Sequence, residues 1–307
     1  MTRFVSRMVA ILLLGGGSAF GEPNQPEIVS GTPHFTTQVI ATDVDETHSV
    51  QAADFDGDGD TDVAATDFVD GLVFYYENDG VGGFITRILD ADLPGAYPSA
   101  VGDVDLDGDP DLLVCGYLGD TIVWYQNDGR GNFVRHDVDT AADGAHSVVP
   151  GDMDDDGDID LLTTSQDEGA VAWYENDGSL NFTRHLIDGT ATGAKRAEYG
   201  DMDGDGDLDV VAANFYTNEV AWYQNDGHES FTKRSIDTAV NGAYYVATAD
   251  IDADGDLDVL SASQLDDSIR LYRNDGAGSF TLQLVDSMAE GARSVIAADI
   301  DGDGDLD

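Results

Sequence analysis

One acidic motif of nine residues recurs six times in this chain, always at an interval of 49 residues. The copies are DFDGDGDTD (Asp54, Asp56, Asp58, Asp60, Asp62), DVDLDGDPD (Asp103, Asp105, Asp107, Asp109, Asp111), DMDDDGDID (Asp152, Asp154, Asp156, Asp158, Asp160), DMDGDGDLD (Asp201, Asp203, Asp205, Asp207, Asp209), DIDADGDLD (Asp250, Asp252, Asp254, Asp256, Asp258) and DIDGDGDLD (Asp299, Asp301, Asp303, Asp305, Asp307). A fixed period of this length restricts the chain to folds that stack one small unit many times, because such a unit cannot bury an apolar face alone. The rest of the unit keeps the period. YYENDG (75–80) returns as WYQNDG (124–129), WYENDG (173–178), WYQNDG (222–227) and LYRNDG (271–276). A Phe follows each block (Phe84, Phe133, Phe182, Phe231, Phe280), and a Gly-Ala pair precedes each of the five later acidic motifs.

The unit over residues 146–187 reads as four short strands. Residues 146–151 (HSVVPG) are apolar-rich and extended, and the acidic motif follows as a loop. Residues 160–164 (DLLTT) make a second strand, and 170–175 (AVAWYE), alternating and rich in β-branched and aromatic residues, a third. Asn176-Asp177-Gly178 is a turn, since these residues tolerate positive φ. Residues 182–187 (FTRHLI) make the fourth strand, and nothing in the unit supplies a helix of useful length. The expectation is an all-β fold, a β-propeller of four-stranded blades. Residues 34–40 (HFTTQVI) match fourth strands such as 83–89 (GFITRIL), so the propeller opens on an outer strand that can complete a last blade. The sequence stops at Asp307, where a second strand is due, leaving about five and a half blades. A truncated ring is expected, closed at six blades by about 20 further residues or at seven by about 70.

The 307 residues carry 62 Asp+Glu against 13 Lys+Arg, a formal net charge of −49. With 41% hydrophobic residues the chain can still build a core. A field of this sign disfavours nucleic acid and anionic membrane as partners. The clustered carboxylates repel one another and call for a cation. In DxDxDGxxD the side chains at positions 1, 3, 5 and 9 can converge, and position 7 offers its carbonyl. Glycine at position 6 (Gly59, Gly108, Gly157, Gly206, Gly255, Gly304) allows the sharp turn. Hard oxygens in this number suit Ca²⁺, which takes about six to eight flexibly, better than strictly octahedral Mg²⁺. In the first loop Asp54, Asp56, Asp58 and Asp62 would serve with the Asp60 carbonyl, and about one structural calcium per repeat follows. An EF-hand does not fit: position 12 is Ala65, Val114, Thr163, Ala212 or Ser261, not Glu, and strands flank the loop.

The combination DxDxDGDxD with WYxNDGxGxF resembles the FG-GAP/VCBS repeat family, the calcium-bearing propellers related to the integrin α-subunit head. The resemblance spans residues 34–307. It implies a seven-bladed ring when full length, calcium loops on one face and ligands on the other. It also implies a secreted or surface-displayed adhesion or carbohydrate-binding role. Literal Phe-Gly and Gly-Ala-Pro signatures are few, so the chain looks closer to the bacterial VCBS branch, and integrin-like partners are not implied.

With calcium on one face, the start of the first strand and the loop between strands two and three belong to the other. There the repeat gives way to variety. His48, Tyr97, His146, Lys195, Tyr244 and Arg293 hold equivalent positions, and the loops add Phe68, Tyr117 and Phe215 beside Gln166, Tyr216 and Gln264. Varied aromatic and polar groups on a repeated frame suit a ligand surface; ordinary loop variation would look similar. Trp124, Trp173 and Trp222, in third strands, are expected to pack between blades. Cys115, the sole cysteine, fills a small strand position and makes no intrachain disulfide. His34, His136, His185 and His228 lack metal spacing and are expected on or near outer strands. No serine elbow, phosphate loop or zinc motif occurs, and no separated acid–base pair, so no catalytic constellation is nominated.

Arg3, Arg7, the apolar run Met8–Leu14 and Ala19-Phe20-Gly21 read as a signal peptide over 1–21, followed by a linker over 22–33. Seven apolar residues do not span a bilayer. The expectation is a secreted or cell-surface, monomeric, calcium-binding propeller without enzymatic activity, serving as a binding or adhesion module for an extracellular protein or polysaccharide. The alternative is the scaffold of a lyase-like polysaccharide enzyme, or an accessory to a catalytic domain further along.

Overall fold

The computed structural model describes residues 38–42, 44, 46–300 and 302–307. The expected signal peptide, the linker and residues 34–37 of the expected outer strand lie outside them. In the first unit β1 (Thr47–Ala53), β2 (Asp62–Asp67), β3 (Leu72–Asn78) and β4 (Phe84–Asp90) pair antiparallel in chain order. Four more sheets repeat the order over Ala96–Asp139, Ala145–Asp188, Ala194–Asp237 and Ala243–Asp286. The described residues thus form an all-β fold of five four-stranded sheets. The strands predicted at 146–151, 160–164, 170–175 and 182–187 are found at Ala145–Gly151, Asp160–Ser165, Ala170–Asn176 and Phe182–Asp188.

Antiparallel sheets commonly keep one face wet, but these bury both. All six residues of β2 are buried, as are those of its four counterparts. Ala64, Val73 and Tyr75 face the second unit and pack with its Leu112, Val114, Val123 and Tyr125. Val63, Ala65, Phe74 and Tyr76 form a separate cluster on the opposite side. Each sheet is therefore a slab in a stack, which is why a single unit could not stand alone. Trp124, Trp173 and Trp222, at most 3% exposed, fill these interfaces, as the sequence suggests. The fourth strands lie outermost and expose their middle residues.

A polar tie joins neighbouring units as well. Tyr125 Oη donates to Asp90 at 2.7 Å, Tyr174 to Asp139 at 2.5 Å, Tyr223 to Asp188 at 2.9 Å and Tyr272 to Asp237 at 3.0 Å. Each bond runs from a third strand to the last residue of the preceding unit. First strands of successive units are neighbours and line an axis. The curvature brings units two and five together: Tyr97 Oη and Tyr244 Oη lie 2.5 Å apart.

Residues 38–41 take the place of a preceding unit's outer strand. Ile40 packs on the first unit's outer cluster with Val63, Ala65, Phe74 and Tyr76. Leu89, 49 residues on, packs in the same way with Leu112, Val114, Val123 and Tyr125. Gln38 Nε2 donates to the Gly82 carbonyl at 2.9 Å, as Arg87 Nη1 does to that of Gly131 at 3.5 Å.

Candidate functional site

Each acidic motif is the loop between a first and a second strand, closed by bonds repeated from unit to unit. The position-6 glycine N–H donates to Oδ2 of the position-1 aspartate: Gly59 to Asp54 at 2.9 Å, Gly157 to Asp152 at 3.0 Å and Gly304 to Asp299 at 3.0 Å. These glycines have φ between 94° and 98°, a left-handed conformation that a Cβ would strain. The position-9 aspartate is wholly buried at Asp62, Asp111, Asp160, Asp209 and Asp258. Its two oxygens accept backbone N–H groups from both sides. Asp160 takes Met153 N at 2.9 Å and Asn176 N at 2.8 Å. This last residue is the asparagine of the Asn-Asp-Gly turn. The turn is therefore tied to the acidic loop.

Three carboxylates per loop come within 4.8 Å of one another. They stand at positions 1, 3 and 9 in the second to fourth loops (Asp103, Asp105, Asp111; Asp152, Asp154, Asp160; Asp201, Asp203, Asp209). In the first and fifth they stand at positions 1, 3 and 5 (Asp54, Asp56, Asp58; Asp250, Asp252, Asp254). The carboxylates at position 7 are not in these triads; Asp60, Asp109, Asp158, Asp207 and Asp256 lie against the positive-φ glycines of the Asn-Asp-Gly turns. The sixth loop closes with the same backbone bonds from Gly304 and Ile300, although Asp301 lies outside the described residues.

Do these groups fit a metal? Two oxygens, Asp103 Oδ1 and Asp203 Oδ1, are buried with no hydrogen-bond partner. Burial pushes Asp111 and Asp209 up to about 6 and Asp160 up to about 7. An all-oxygen donor set, orphaned acceptors and carboxyls costly to ionise alone are what a cation would relieve. Five aspartate triads, one per repeat, can hold a metal ion.

One contributor was not named from the sequence: the variable residue in Tyr-x-Asn-Asp-Gly. Gln126 Nε2 donates to Asp105 at 2.5 Å, Gln224 bonds Asp203, and Arg273 pairs with Asp252. In the third unit it is Glu175, which faces Asp154 and holds His185 at 2.7 Å. The clue was already in the repeat, as the residue that changes inside an otherwise fixed block.

At the opposite end the structure gathers all nine residues proposed as ligand-facing. His48 lies 5.0 Å from Phe68 and 4.8 Å from Tyr97 between ring centroids. Tyr97 meets His146 at 4.4 Å and Tyr117 at 6.0 Å. Lys195 Nζ sits 5.1 Å from the Tyr244 centroid and 5.6 Å from that of Phe215, and the Arg293 guanidinium 5.5 Å from Tyr244. Their depth differs in a way the sequence did not reveal. Tyr97 and His146 are buried under the others, His48, Phe68, Tyr117, Lys195, Phe215 and Tyr244 are half-buried, and Arg293 is exposed. His146 Nδ1 donates to the Lys195 carbonyl at 2.6 Å, and burial holds the ring well below the usual imidazole range. Burial, reinforced by nearby Arg293 and opposed by Asp167, brings Lys195 down to about 8. His136 and His185, expected near outer strands, stack on Trp124 at 4.6 Å and Trp173 at 4.7 Å.

Among solved structures, the chain is similar to a lectin of Agrocybe aegerita that specifically recognises non-reducing terminal N-acetylglucosamine. The TM-score is 0.59 and the identity 19%, over 86% of this chain and 74% of that one. It is also similar to the V. cholerae biofilm matrix protein Bap1, with a TM-score of 0.54 and 20% identity, over 86% of this chain and 43% of that one. At such identities the likeness concerns the fold, which is propeller-like. No curated protein matches the sequence. The family model of the FG-GAP-like repeat matches residues 54–114, 103–163, 152–212, 201–261 and 250–307, each stretch starting at one acidic loop and including the next. Acidic loops, four-strand units and period coincide in that match, and the chain belongs to the FG-GAP-like repeat family.

Proposed function

We propose that this chain is a calcium-stabilised binding module, secreted or displayed at the cell surface, that takes a carbohydrate or protein ligand at its aromatic end. One observation carries the reading: nine varied residues from six repeats converge at the end opposite the acidic loops. The lectin and the biofilm protein of similar fold support it by analogy alone. Asp54, Asp56, Asp58 and Asp62 and their repeats would hold the ion. Calcium, when bound, supplies the positive charge these carboxylates lack. The chain does the rest: the glycine turn fixes position 1, the buried position 9 joins loop to hairpin, and interface aromatics keep the units in line. A half-buried ring such as Tyr117 or Phe215 offers a sugar an apolar face. Glycan-array binding by the calcium-loaded protein is expected, with a loss of at least about tenfold in Tyr117→Ala/Phe215→Ala; unchanged binding in that variant would remove the aromatic end from consideration.

A second reading, a lyase-like enzyme, is favoured by the close pair of hydroxyls on Tyr97 and Tyr244 beside Lys195. Unsaturated ends appearing in a polysaccharide incubated with the protein would establish it.

A further inference from the structure

In a chain of net charge −49, most cations are already matched. Of the eleven described Lys and Arg residues, seven form ion pairs: Arg87, Arg135, Arg184, Arg196, Lys233, Arg270 and Arg273. Of the other four, Arg130 is exposed on an outer turn and Arg234 covers Trp222 while bonding Gln224. The remaining two, Lys195 and Arg293, stand together against a single ring, Tyr244.

That arrangement is costly as it stands. Two like charges beside one half-buried ring repel, and partial burial strips Lys195 of water. The neighbouring carboxylates are committed elsewhere. Asp167 accepts from Tyr117 Oη at 3.0 Å and Gln166 Nε2 at 2.9 Å. Asp67 accepts from Val69 N and Asp70 N at 3.0 Å, and Glu46 faces His48 at 3.5 Å. Neutral partners aim the cations instead. Gln166 Oε1 accepts from Lys195 Nζ, and the Gln264 amide, in the orientation that suits its neighbours, places its oxygen 3.1 Å from Arg293 Nε and 2.8 Å from Nη2. Positioned cations held in no ion pair, next to the faces of Tyr244 and Phe215, match a ligand with a negative group on an apolar ring.

We propose that the aromatic end binds an acidic saccharide, its carboxylate between Lys195 and Arg293 and its pyranose ring against Tyr244 and Phe215. The inference rests on the binding-module reading and narrows its ligand to uronate-bearing glycans. The acidic loops at the far end do not forbid this, because charges in water are screened beyond about 8 Å at physiological salt.

The test is calorimetric titration of the full calcium-loaded chain with a uronate oligosaccharide, its carboxyl-reduced neutral counterpart, and inorganic sulfate. The uronate is expected to bind at least about tenfold more tightly than the neutral form. Lys195→Gln/Arg293→Gln should remove that advantage, and the charge-keeping pair Lys195→Arg/Arg293→Lys should retain it, so that loss of charge and loss of fold are told apart. Binding should also weaken as pH rises through about 8, where Lys195 loses its proton. Equal binding of neutral and uronate sugars overturns the inference and leaves the carbohydrate reading standing. Uronate affinity that survives the Gln variants, or that sulfate matches, overturns the inference, and binding of no saccharide at all overturns both.

Discussion

At the acidic end one hydrogen bond, position-6 glycine to position-1 aspartate, is made six times at 2.9–3.0 Å. At the aromatic end the equivalent positions read His48, Tyr97, His146, Lys195, Tyr244 and Arg293, and no two consecutive units agree. Both ends belong to the same strands and share one period. The difference lies in what each must satisfy. A loop holding several carboxylates against one another has few workable backbone geometries, so every unit makes the same closing bond. The other end carries no such demand from the backbone, and its side chains are free to differ and hence to discriminate between ligands.

The contrast predicts that the two ends fail differently. Removing calcium should act on the whole fold, because each loop then keeps its repulsion without its counter-charge and several sites are lost together. We expect the melting temperature to fall by well over about 10 °C in chelator and to return with calcium. A melting curve that ignores the chelator would show that the loops are held by their own hydrogen bonds. A single residue gives the next largest effect. Asp160→Ala strands two buried N–H groups, of Met153 and Asn176, each costing roughly 1–3 kcal/mol, so a loss of about 3 kcal/mol is expected. Tyr117→Ala, on the half-buried aromatic end, should cost about 1 kcal/mol and act on binding instead. Urea unfolding in calcium measures both, and equal losses would erase the distinction between scaffold end and ligand end.

What the sequence disclosed follows the same division. The four strands of each unit were legible because backbone chemistry, alternation and Asn-Asp-Gly turns act within a few residues. The loop ligands were legible because one short motif supplies most of them. Contacts between units were not. Asp90, Asp139, Asp188 and Asp237 keep the 49-residue period in plain sight, yet their tyrosine partners lie 35 residues on, in the next unit, and only the stacking of sheets shows that they meet. The depth of the aromatic basin was hidden for the same reason. Tyr97 is covered by residues from other units, His146 and Tyr244 among them, and no local pattern reports that.

The acidic end is less uniform than its backbone bonds suggest, and this gives the finest test of the comparison. The variable residue of Tyr-x-Asn-Asp-Gly stands beside the position-3 aspartate of its own unit. In the fifth unit it is Arg273, whose guanidinium pairs with Asp252 and competes with any ion there. In the second and fourth it is Gln126 or Gln224, neutral and donating. In the first it is Glu77, whose charge is matched by its ion pair with Arg87, and in the third it is Glu175, which adds a negative charge beside Asp154. A charge change at a partly exposed position is worth about 1.4 kcal/mol, or tenfold in affinity. The loops should therefore titrate with calcium as a graded series, the third tightest and the fifth weakest. Arg273→Gln should tighten the weakest class by about tenfold, and Glu175→Gln should loosen the tightest by a similar factor. Sensitised terbium luminescence resolves the classes without any ligand at the other end. If the loops titrate as one class and neither substitution moves it, the variable residue has no effect on the ion and the acidic end is as uniform as its glycine bonds. A graded series would instead mean that the chain keeps its geometry fixed there and tunes its affinity through a single side chain per unit.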